Sequence, residues 1–388
     1  MQLSATGAGT RQELALPPAS RSPPARRTLP LAGVLRSLQA PCAAVNLHLL
    51  GPDADAATVE RWERFVAHCP EATFFHRAAW RHVLAETFGQ RPYFMYAELD
   101  GEILGVLPMA RQKSLIFGDA LVSSPFCVYG GVAASSDSAR RALEDAAVAL
   151  GQQLGVDHIE FRNLHPRRDD WERHGSHATF RRAIEPDPEK NLLAIPRKQR
   201  AEVRKGMDRK LVAGPGGDSG LCWNLYAASV HRLGTPVYAR RYFFDLKQAF
   251  GDDCEFFFVH RDGEPVAALL NFYFRDEVLP YYAGSSGGGR DGEVHPYMYW
   301  ALMNHAAARG ARLFDFGRSP VDSGGYAFKK NFGFEPQPLS YEFRLVRAKH
   351  APDANPKSPR YALMVNTWKK LPRWLANTMG PWAARQIG

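Results

Sequence analysis

Hydrophobic and polar residues are spaced along the chain so that one set of elements is predicted twice. The first half predicts helices over 57–66, 78–88 and 138–154, a hairpin of strands 93–99 and 103–109, and strands within 122–132 and over 157–163. The second half predicts helices over 221–233 and 241–250, a hairpin of strands 255–259 and 266–274, a strand over 278–283, a helix over 297–309 and a strand over 313–316. The turn Asp100-Gly101-Glu102 recurs as Asp262-Gly263-Glu264. Two copies of one α/β unit therefore explain the order of the elements.

The segments outside the repeats divide the rest of the chain. We expect domains over 44–195 and 221–346, separated by a basic linker over 196–220. Residues 197–211 contain seven basic and two acidic residues, so we expect an exposed basic helix, followed by a glycine-rich loop over 213–220. Residues 1–43 combine prolines with scattered arginines and predict a disordered extension.

Charge and cysteine content narrow the classes of protein. The net charge is +9, and the tail over 347–388 supplies +7 of it, which favours an anionic partner such as membrane phosphates or nucleic acid. Aromatic and basic residues alternate at helical spacing over 361–382, as in a helix that lies on a bilayer surface; the alternative is a tail docked with its tryptophans in the core. Five scattered cysteines have no metal-ligand spacing and indicate reduced thiols, no metal site and a cytoplasmic protein, with peripheral contact at the inner membrane face as a further expectation.

The stretch 309–343 carries the densest set of candidate chemistry. A buried strand over 313–316 ends in polar groups, which are Asp315, Arg318 and Ser319, and a glycine-rich loop and Lys329 follow. Open α/β sheets bind ligands beyond the carboxyl ends of their strands, so this loop is the first candidate site. The alternative is that the glycines serve only as turn residues and the lysines as a solvated helix face.

These residues carry a resemblance to a known family. The segments Phe316–Ser319, Phe328–Pro336 and Pro338–Tyr341 resemble the Fem-type peptidoglycan bridge-forming transferases, in the branch associated with the PEP-CTERM/exosortase system. The resemblance implies an α+β fold of two tandem GNAT-like (Gcn5-related N-acetyltransferase) domains, each a mixed central sheet flanked by helices. It also implies transfer of an acyl or aminoacyl group onto an amine of a cell-envelope precursor.

Roles for single residues follow from that reaction. The catalytic candidates are Asp315 as proton acceptor and Tyr282 as proton donor; the alternatives are that Asp315 pairs with Arg318 or caps a helix, and that Tyr282 is a core residue. The candidates for binding phosphate or carboxylate groups of the substrate are Arg318, Ser319, Lys329 and Arg81. The candidates for binding a donor pyrophosphate are Gly287, Gly288, Gly289 and Arg290. The usual coenzyme A signature is missing from that loop.

The sequence therefore predicts an acyl- or aminoacyltransferase that needs no cofactor, with acyl-CoA or aminoacyl-tRNA as donor substrate. Its partners are an anionic or phosphate-bearing envelope precursor, tRNA through the basic helix around Arg200, Arg204 and Lys205, and the membrane through the tail. No Ser-x-x-Lys or Gly-x-Ser-x-Gly motif is present, so we expect direct transfer without a covalent enzyme intermediate. The alternatives are an acyl-CoA-dependent N-acetyltransferase and a non-catalytic membrane- or nucleic-acid-binding protein with this fold.

Overall fold

A computed structural model of the protein describes residues 45–115, 118–287, 292–352 and 359–387. The predicted extension over 1–43 and the candidate donor-binding residues Gly288, Gly289 and Arg290 lie outside these ranges. All further statements on structure refer to the described residues.

The described residues form strands and helices in the order that the repeat predicts. The strands are β1 (Asn46–Leu50), β2 (Arg91–Leu99), β3 (Glu102–Ser114), β4 (Gly118–Ser123), β5 (Ala133–Ala134), β6 (His158–Asn163), β7 (Glu172–His174), β8 (His177–Ala183), β9 (Val212–Pro215), β10 (Cys254–Arg261), β11 (Glu264–Phe274), β12 (Glu277–Ser285), β13 (Leu313–Asp315), β14 (Ser319–Pro320), β15 (Pro336–Pro338) and β16 (Ser340–Leu345). The helices are α1 (Ala56–His68), α2 (Trp80–His82, continued by a π-helical turn Val83–Thr87), α3 (Asp137–Leu154), α4 (Pro188–Leu193), α5 (Arg197–Asp208), α6 (Ser219–Leu233), α7 (Arg240–Phe250), α8 (Val294–Ala308), α9 (Gly324–Asn331), α10 (Pro359–Lys370) and α11 (Arg373–Ile387).

Local signals set the limits of the long helices. Ser136 accepts a hydrogen bond from the backbone N–H of Ala139 at the start of α3, and Gly155 ends that helix with a φ of 59°. Asp218 caps α6 in the same way, and Gly234 ends it with a φ of 78°. The equivalent helices of the two repeats are thus bounded by the same kind of residue.

The strands assemble into two mixed sheets. The first has the order β1–β2–β3–β4–β6–β16–β7, with β5 beside β3, and the second has the order β14–β8–β13–β12–β11–β10–β9, with β15 beside β8. One parallel pair lies in each sheet, β4 with β6 and β12 with β13. The architecture is α+β, with a central sheet flanked by helices in each of two units.

The two sheets exchange strands. β16, from the second half of the sequence, lies between β6 and β7 of the first sheet, and β8, from the first half, pairs with β13, β14 and β15 of the second. The predicted domain boundaries at 195 and 221 therefore do not coincide with the limits of the sheets. A period-two pattern marks a strand but does not say which sheet it joins.

A core shared by both units lies between the sheets. It contains Phe74 and Trp80 from the first unit and Phe250 and Phe272 from the second, and the Phe74 and Phe272 rings stack with centroids 4.3 Å apart. Two further cores cover the outer faces, one under α3 on the first sheet and one under α8 on the second. The units consequently pack through a continuous apolar layer.

Three expectations need correction. The loop expected over 213–220 contains the edge strand β9, which pairs with β10. The strand expected within 122–132 ends at Ser123, because Ser124 and Phe126 adopt positive φ angles and turn the chain out of the sheet. The basic helix α5 is exposed along one side only, since Val203 and Gly206 are buried and Gly206 packs against Tyr297 of α8.

The exchanged strand β16 is held by a buried carboxylate. Glu342 is fully buried, accepts hydrogen bonds from Asn163 Nδ2 (2.7 Å) and from the backbone N–H groups of Arg167 (2.7 Å) and Arg168 (3.2 Å), and lies 3.7 Å from Arg173 Nε. Replacing Glu342 with Leu should lower the free energy of unfolding by roughly 3–5 kcal/mol, because buried donors and a cation lose their partner.

Urea unfolding measures this effect. Glu335→Leu, at an exposed position of the same segment, is the control and should change the free energy of unfolding by less than about 1 kcal/mol. Equal effects of the two variants would show that Glu342 does not hold the strand.

Candidate active site

The second sheet opens between its two parallel strands. β12 and β13 pair at only two positions, Glu277 with Leu313 and Val278 with Phe314, and beyond them β12 continues to Ser285 without a neighbour on that side. The backbone groups of β12 in this wedge are not used by the sheet. A wedge between diverging strands is a place where a ligand can approach backbone.

A β-bulge lies inside the wedge. Leu270 of β11 faces Tyr282 and Asn271 faces Pro280, so Tyr281 is the extra residue on β12. A bulge bends the strand and re-aims its side chains. Here the rings of Tyr281 and Tyr282 lie 4.8 Å apart, in contact with the core between the sheets.

A loop of the first unit reaches into this wedge. Tyr281 Oη donates a hydrogen bond to the carbonyl oxygen of Phe126 (3.1 Å), and Tyr129 Oη donates one to Asp315 at the end of β13 (2.5 Å). The loop over 124–130 is the segment that leaves the first sheet after β4. Side chains of both units thus form the walls of the wedge.

Four side chains form what we call the Arg318 cluster, which consists of Arg162, His177, Arg318 and Tyr341. Arg318 Nη1 donates to Tyr341 Oη (2.8 Å), and this hydroxyl donates to the carbonyl oxygen of Val128 (2.8 Å). The guanidinium groups of Arg162 and Arg318 each lie 5.7 Å from the centre of the Tyr341 ring, and His177 stacks on that ring at 5.7 Å. Tyr341 belongs to β16 and His177 to β8, so strand exchange builds the cluster.

The cluster carries net positive charge. Arg162 is neutralised by Glu160 at 2.8 Å, whereas no carboxylate in the described part of the chain forms an ion pair with the half-buried Arg318. Burial disfavours the charge of Arg318, but the oxygens of Tyr341, Tyr281 and Tyr238 outweigh this and keep its pKa above the ordinary value. Burial, together with Arg318 and Arg162, lowers the pKa of His177 to about 3, so His177 is neutral. Arg318 is therefore suited to bind an anion.

Asp315 has a structural environment. It is 1% exposed, its carboxylate accepts hydrogen bonds from Tyr129 Oη and from the backbone N–H of Gly317 (2.8 Å), and it forms an ion pair with Arg181 Nε at 3.2 Å. It does not pair with Arg318, as one of the sequence alternatives had it. Because its oxygens are occupied and buried, the geometry argues against direct proton transfer between Asp315 and a substrate.

Lys329 points back from α9 to the loop that carries Arg318. Its Nζ donates to the carbonyl oxygens of Gly317 (2.9 Å) and Arg318 (3.0 Å) and lies 5.4 Å from the ring centres of Phe180 and Phe316. Burial lowers the pKa of Lys329 to about 7, against an opposing effect of Asp315 and with a further lowering by Arg318. Lys329 thus holds the loop in place and titrates near neutral pH.

The other candidate residues are spread over three places. Tyr282 lies in the wedge, buried, with its hydroxyl 3.1 Å from that of Tyr242, and burial raises its pKa well above 10. Ser319 is buried in β14, where it pairs with Ala178 of β8. Arg81 is buried on α2 beside His82, at 3.2 Å, and no contact joins it to the Arg318 cluster in the residues described.

Gly287, the remaining donor-binding candidate, lies at the end of β12 near a cavity of about 290 Å³. The cavity is lined in part by Arg232, Ser286 and Arg373. The helix α8 that follows this loop begins at Glu293, whose fully buried carboxylate pairs with Arg209 and with Arg261 (3.0 Å). A carboxylate already lies at the helix N-terminus that a donor pyrophosphate would otherwise use.

Comparison with known proteins agrees with this geometry. A family model described as an acetyltransferase (GNAT) domain matches residues 197–330, which include β12, β13 and Arg318. The solved structure of FemX is similar at a TM-score of 0.60 and 16% identity, covering 79% of this chain and 98% of that one. The fold is GNAT-like.

Two further solved structures share the tandem arrangement at lower similarity. They are the C-terminal domain of a putative lysylphosphatidylglycerol synthetase from Agrobacterium fabrum (TM-score 0.51, 13% identity, 80% of this chain and 96% of that one) and L-PGS from Bacillus licheniformis (TM-score 0.50, 13% identity, 82% and 98%). No curated protein matches the chain. The predicted fold class, two GNAT-like units with mixed sheets, is confirmed.

Sequence reasoning missed three members of the Arg318 cluster. Arg162 follows Glu160 by two positions on one strand, which places both on the same face, and this spacing was a usable signal. His177 and Tyr341 gave no such signal, because their proximity to Arg318 depends on which sheet β8 and β16 join.

The lowered pKa of Lys329 gives a test of this geometry. In the unfolded chain Lys329 has its ordinary pKa of 10.5, whereas in the folded protein it is about 7, so between these values the unfolded state binds the extra proton. The free energy of unfolding of the wild-type protein should therefore rise relative to that of Lys329→Met as the pH is raised from 7 to 10.

Urea unfolding at pH 7, 8, 9 and 10 measures the difference. Lys330→Met, at the exposed neighbouring position, is the matched control and should follow the wild-type protein. A difference between wild type and Lys329→Met that stays constant over this range would contradict the assigned environment of Lys329.

Proposed function

We propose that the protein is an acyl- or aminoacyltransferase that forms an amide on an amine of an anionic cell-envelope precursor. The observation that carries the proposal is Arg318, which has no carboxylate partner among the described residues and lies at the wedge between β12 and β13 of a GNAT-like unit. The wedge offers free backbone beside a fixed cation. Amide formation needs such a site to hold an acceptor close to an acyl donor.

Arg318 would bind a phosphate or carboxylate of the acceptor. A guanidinium group is planar and always charged, and it contacts such anions through two parallel hydrogen bonds. Its contact with Tyr341 uses Nη1 and leaves further N–H donors for a ligand. The resemblance of Phe316–Ser319 and Phe328–Pro336 to the PEP-CTERM-associated Fem-type branch favours an envelope precursor as the source of this anion.

Lys329 is the better candidate for proton exchange. The attacking amine must lose a proton, and a group with a pKa near 7 is suited to accept and return it at neutral pH. A neutral lysine amine has two N–H donors, which the carbonyls of Gly317 and Arg318 accept, so its lone pair remains to take a proton. Tyr282, with a pKa well above 10, keeps its proton and would serve as a hydrogen-bond donor to the leaving group.

The transfer would be direct. Each described cysteine is buried, burial raises the pKa of the Cys69, Cys127 and Cys222 thiols, and it raises that of Cys254 to about 12. A thiol with a raised pKa is a poor nucleophile because the thiolate is the reactive form. These groups therefore do not favour a covalent acyl-enzyme.

Two donors are candidates, and different features favour each. The acetyltransferase family model and the cavity with Arg232 and Arg373 favour acyl-CoA. The Fem-type resemblance and the exposed Arg204 on α5 favour aminoacyl-tRNA. Glu293 at the start of α8 repels a pyrophosphate there, which weighs against coenzyme A, and the names of two structural neighbours refer to an aminoacylated lipid. We therefore favour an aminoacyl donor.

Replacing Arg318 with Ala should lower kcat/KM for transfer by about 100-fold or more, because loss of a charge-assisted contact to the acceptor costs about 3 kcal/mol. The free energy of unfolding should change by no more than about 1.5 kcal/mol, since only the hydrogen bond to Tyr341 is lost. Arg312→Ala, at an exposed position before the same strand, is the control and should retain activity. A fully active Arg318→Ala enzyme would place the site elsewhere.

A donor screen separates the alternatives. The full chain is incubated with labelled acyl-CoAs and aminoacyl-tRNAs, binding is measured by calorimetry, and intact mass is recorded after turnover. We expect salt-dependent tRNA binding that weakens in Lys198→Gln/Arg204→Gln but not in Lys369→Gln/Lys370→Gln, with no added acyl mass on the enzyme.

Each other outcome identifies a different function. Binding of acyl-CoA alone would support the N-acetyltransferase, and an acyl-enzyme in the mass spectrum would exclude direct transfer. Binding of neither donor, with retained binding of lipid or nucleic acid, would support the non-catalytic alternative.

A further inference from the structure

The tail forms two helices that dock onto both units. His231 Nε2 of α6 lies 3.0 Å from the carbonyl oxygen of Leu371 between α10 and α11, and Arg373 donates to the carbonyl oxygen of Asn224 (3.1 Å). At the far end, Arg385 donates to the carbonyl oxygen of Thr87 in the first unit (2.8 Å). The tail thus bridges the two GNAT-like units in a fixed orientation.

Helix α11 docks through its small residues. Ala376, Gly380 and Ala384 are buried at a spacing of four, and a Cβ on Gly380 would lie 2.8 Å from Val237 Cγ1. The large side chains point the other way, with Trp374 71% and Trp382 59% exposed. The expectation that the tryptophans enter the core is therefore wrong. A surface helix ordinarily buries its large apolar residues and exposes its small ones, and α11 does the reverse.

The exposed tryptophans belong to a larger face, which we call the tail face. It also contains other exposed apolar side chains of the tail, which are Leu363 (68%), Met364 (41%) and Met379 (43%). Leu115, at 84% exposure, adjoins it, because its backbone N–H donates to Gln386 Oε1 (2.8 Å). Scattered single apolar residues are normal on a surface, but a group with two tryptophans marks a binding surface.

The charge of the tail face indicates its partner. Residues 359–387 contain five basic residues, Arg360, Lys369, Lys370, Arg373 and Arg385, and no acidic residue. Two copies of such a face would repel one another, which disfavours self-association. Tryptophan with lysine and arginine is the composition of helices that lie in the headgroup region of anionic bilayers. None of the described helices combines the length and apolarity needed to cross a bilayer.

We propose that the tail face binds the surface of an anionic lipid bilayer, with Trp374 and Trp382 in the headgroup region and Lys369 and Lys370 on lipid phosphates. The docked small-residue side keeps α11 on the protein, so binding orients the two units relative to the membrane. Arg373 of the tail also lines the cavity at the end of β12. That cavity therefore lies next to the bilayer, where a lipid-linked acceptor would be presented if the proposed transferase function holds.

Vesicle flotation of the full chain tests the proposal. The protein is mixed with vesicles of phosphatidylcholine containing 25% phosphatidylglycerol and with vesicles of phosphatidylcholine alone, as in a standard flotation assay. Wild type should float with the anionic vesicles at least tenfold more than with the neutral ones. Trp374→Ser/Trp382→Ser and Lys369→Gln/Lys370→Gln should each reduce flotation about tenfold or more.

Matched controls lie on the opposite side of the second sheet. Leu193→Ser on α4 removes an exposed apolar side chain (52%), and Arg197→Gln/Lys198→Gln on α5 removes two exposed charges, so both variants should float like wild type. Because all substituted side chains are exposed, urea unfolding should show unchanged stability.

Three outcomes would overturn the proposal. They are no flotation of wild type, a loss in the control variants equal to that in the tail variants, and a concentration-dependent dimer in light scattering that the tryptophan variant abolishes. The last would assign the tail face to a second copy of the chain. Flotation does not require turnover, so this result and the activity of Arg318→Ala can fail independently of one another.

Discussion

The structure depends on the exchange of β8 and β16 between the two sheets. Each of these strands is the neighbour of the parallel pair in the sheet of the other unit, so neither sheet is complete without residues from both halves of the chain. Glu342 fixes β16 by taking up backbone N–H groups of the first unit in a fully buried position. The same exchange brings Tyr341 to Arg318 and His177 to Tyr341. The site is thus a product of the way in which the units are joined.

This origin explains why the positive charge at the site is tolerated. A half-buried guanidinium without a carboxylate is costly unless neighbouring groups stabilise it. Tyr341 does so with its hydroxyl and its ring, and the hydroxyl is in turn fixed by the carbonyl oxygen of Val128. Lys329 would add a second charge nearby, and its lowered pKa removes much of that charge at neutral pH. The protein therefore keeps one permanent cation, Arg318, and one adjustable one.

Local signals predicted most of the fold, and non-local pairing accounts for the rest. Helix and hairpin limits follow from apolar period, caps such as Asp218 and Asp-Gly turns, all of which act within a few residues. The place of β16 depends on contacts with residues about 180 positions earlier, which no local pattern encodes. For the same reason Arg318 was predicted from its place after β13, while Tyr341 as its partner was not. Asp315 was misjudged because Arg181 and Tyr129 reach it from other elements.

The two units differ at the place where each could hold a ligand, and this difference assigns the chemistry to the second. In the first unit, the end of the β4–β6 pair is closed by its own chain, since Ser123 Oγ accepts from the Arg162 backbone N–H (2.8 Å) and Gly130 donates to the Arg162 carbonyl (3.0 Å). In the second unit, the wedge is bordered by side chains, Tyr281 and Arg318, instead of backbone pairs. Side chains can exchange a partner for a ligand at the cost of one hydrogen bond, whereas closed backbone pairs cannot open without disrupting the sheet. The first unit consequently acts as a wall and the second as the binding side, which is the arrangement that a transfer between two large substrates requires.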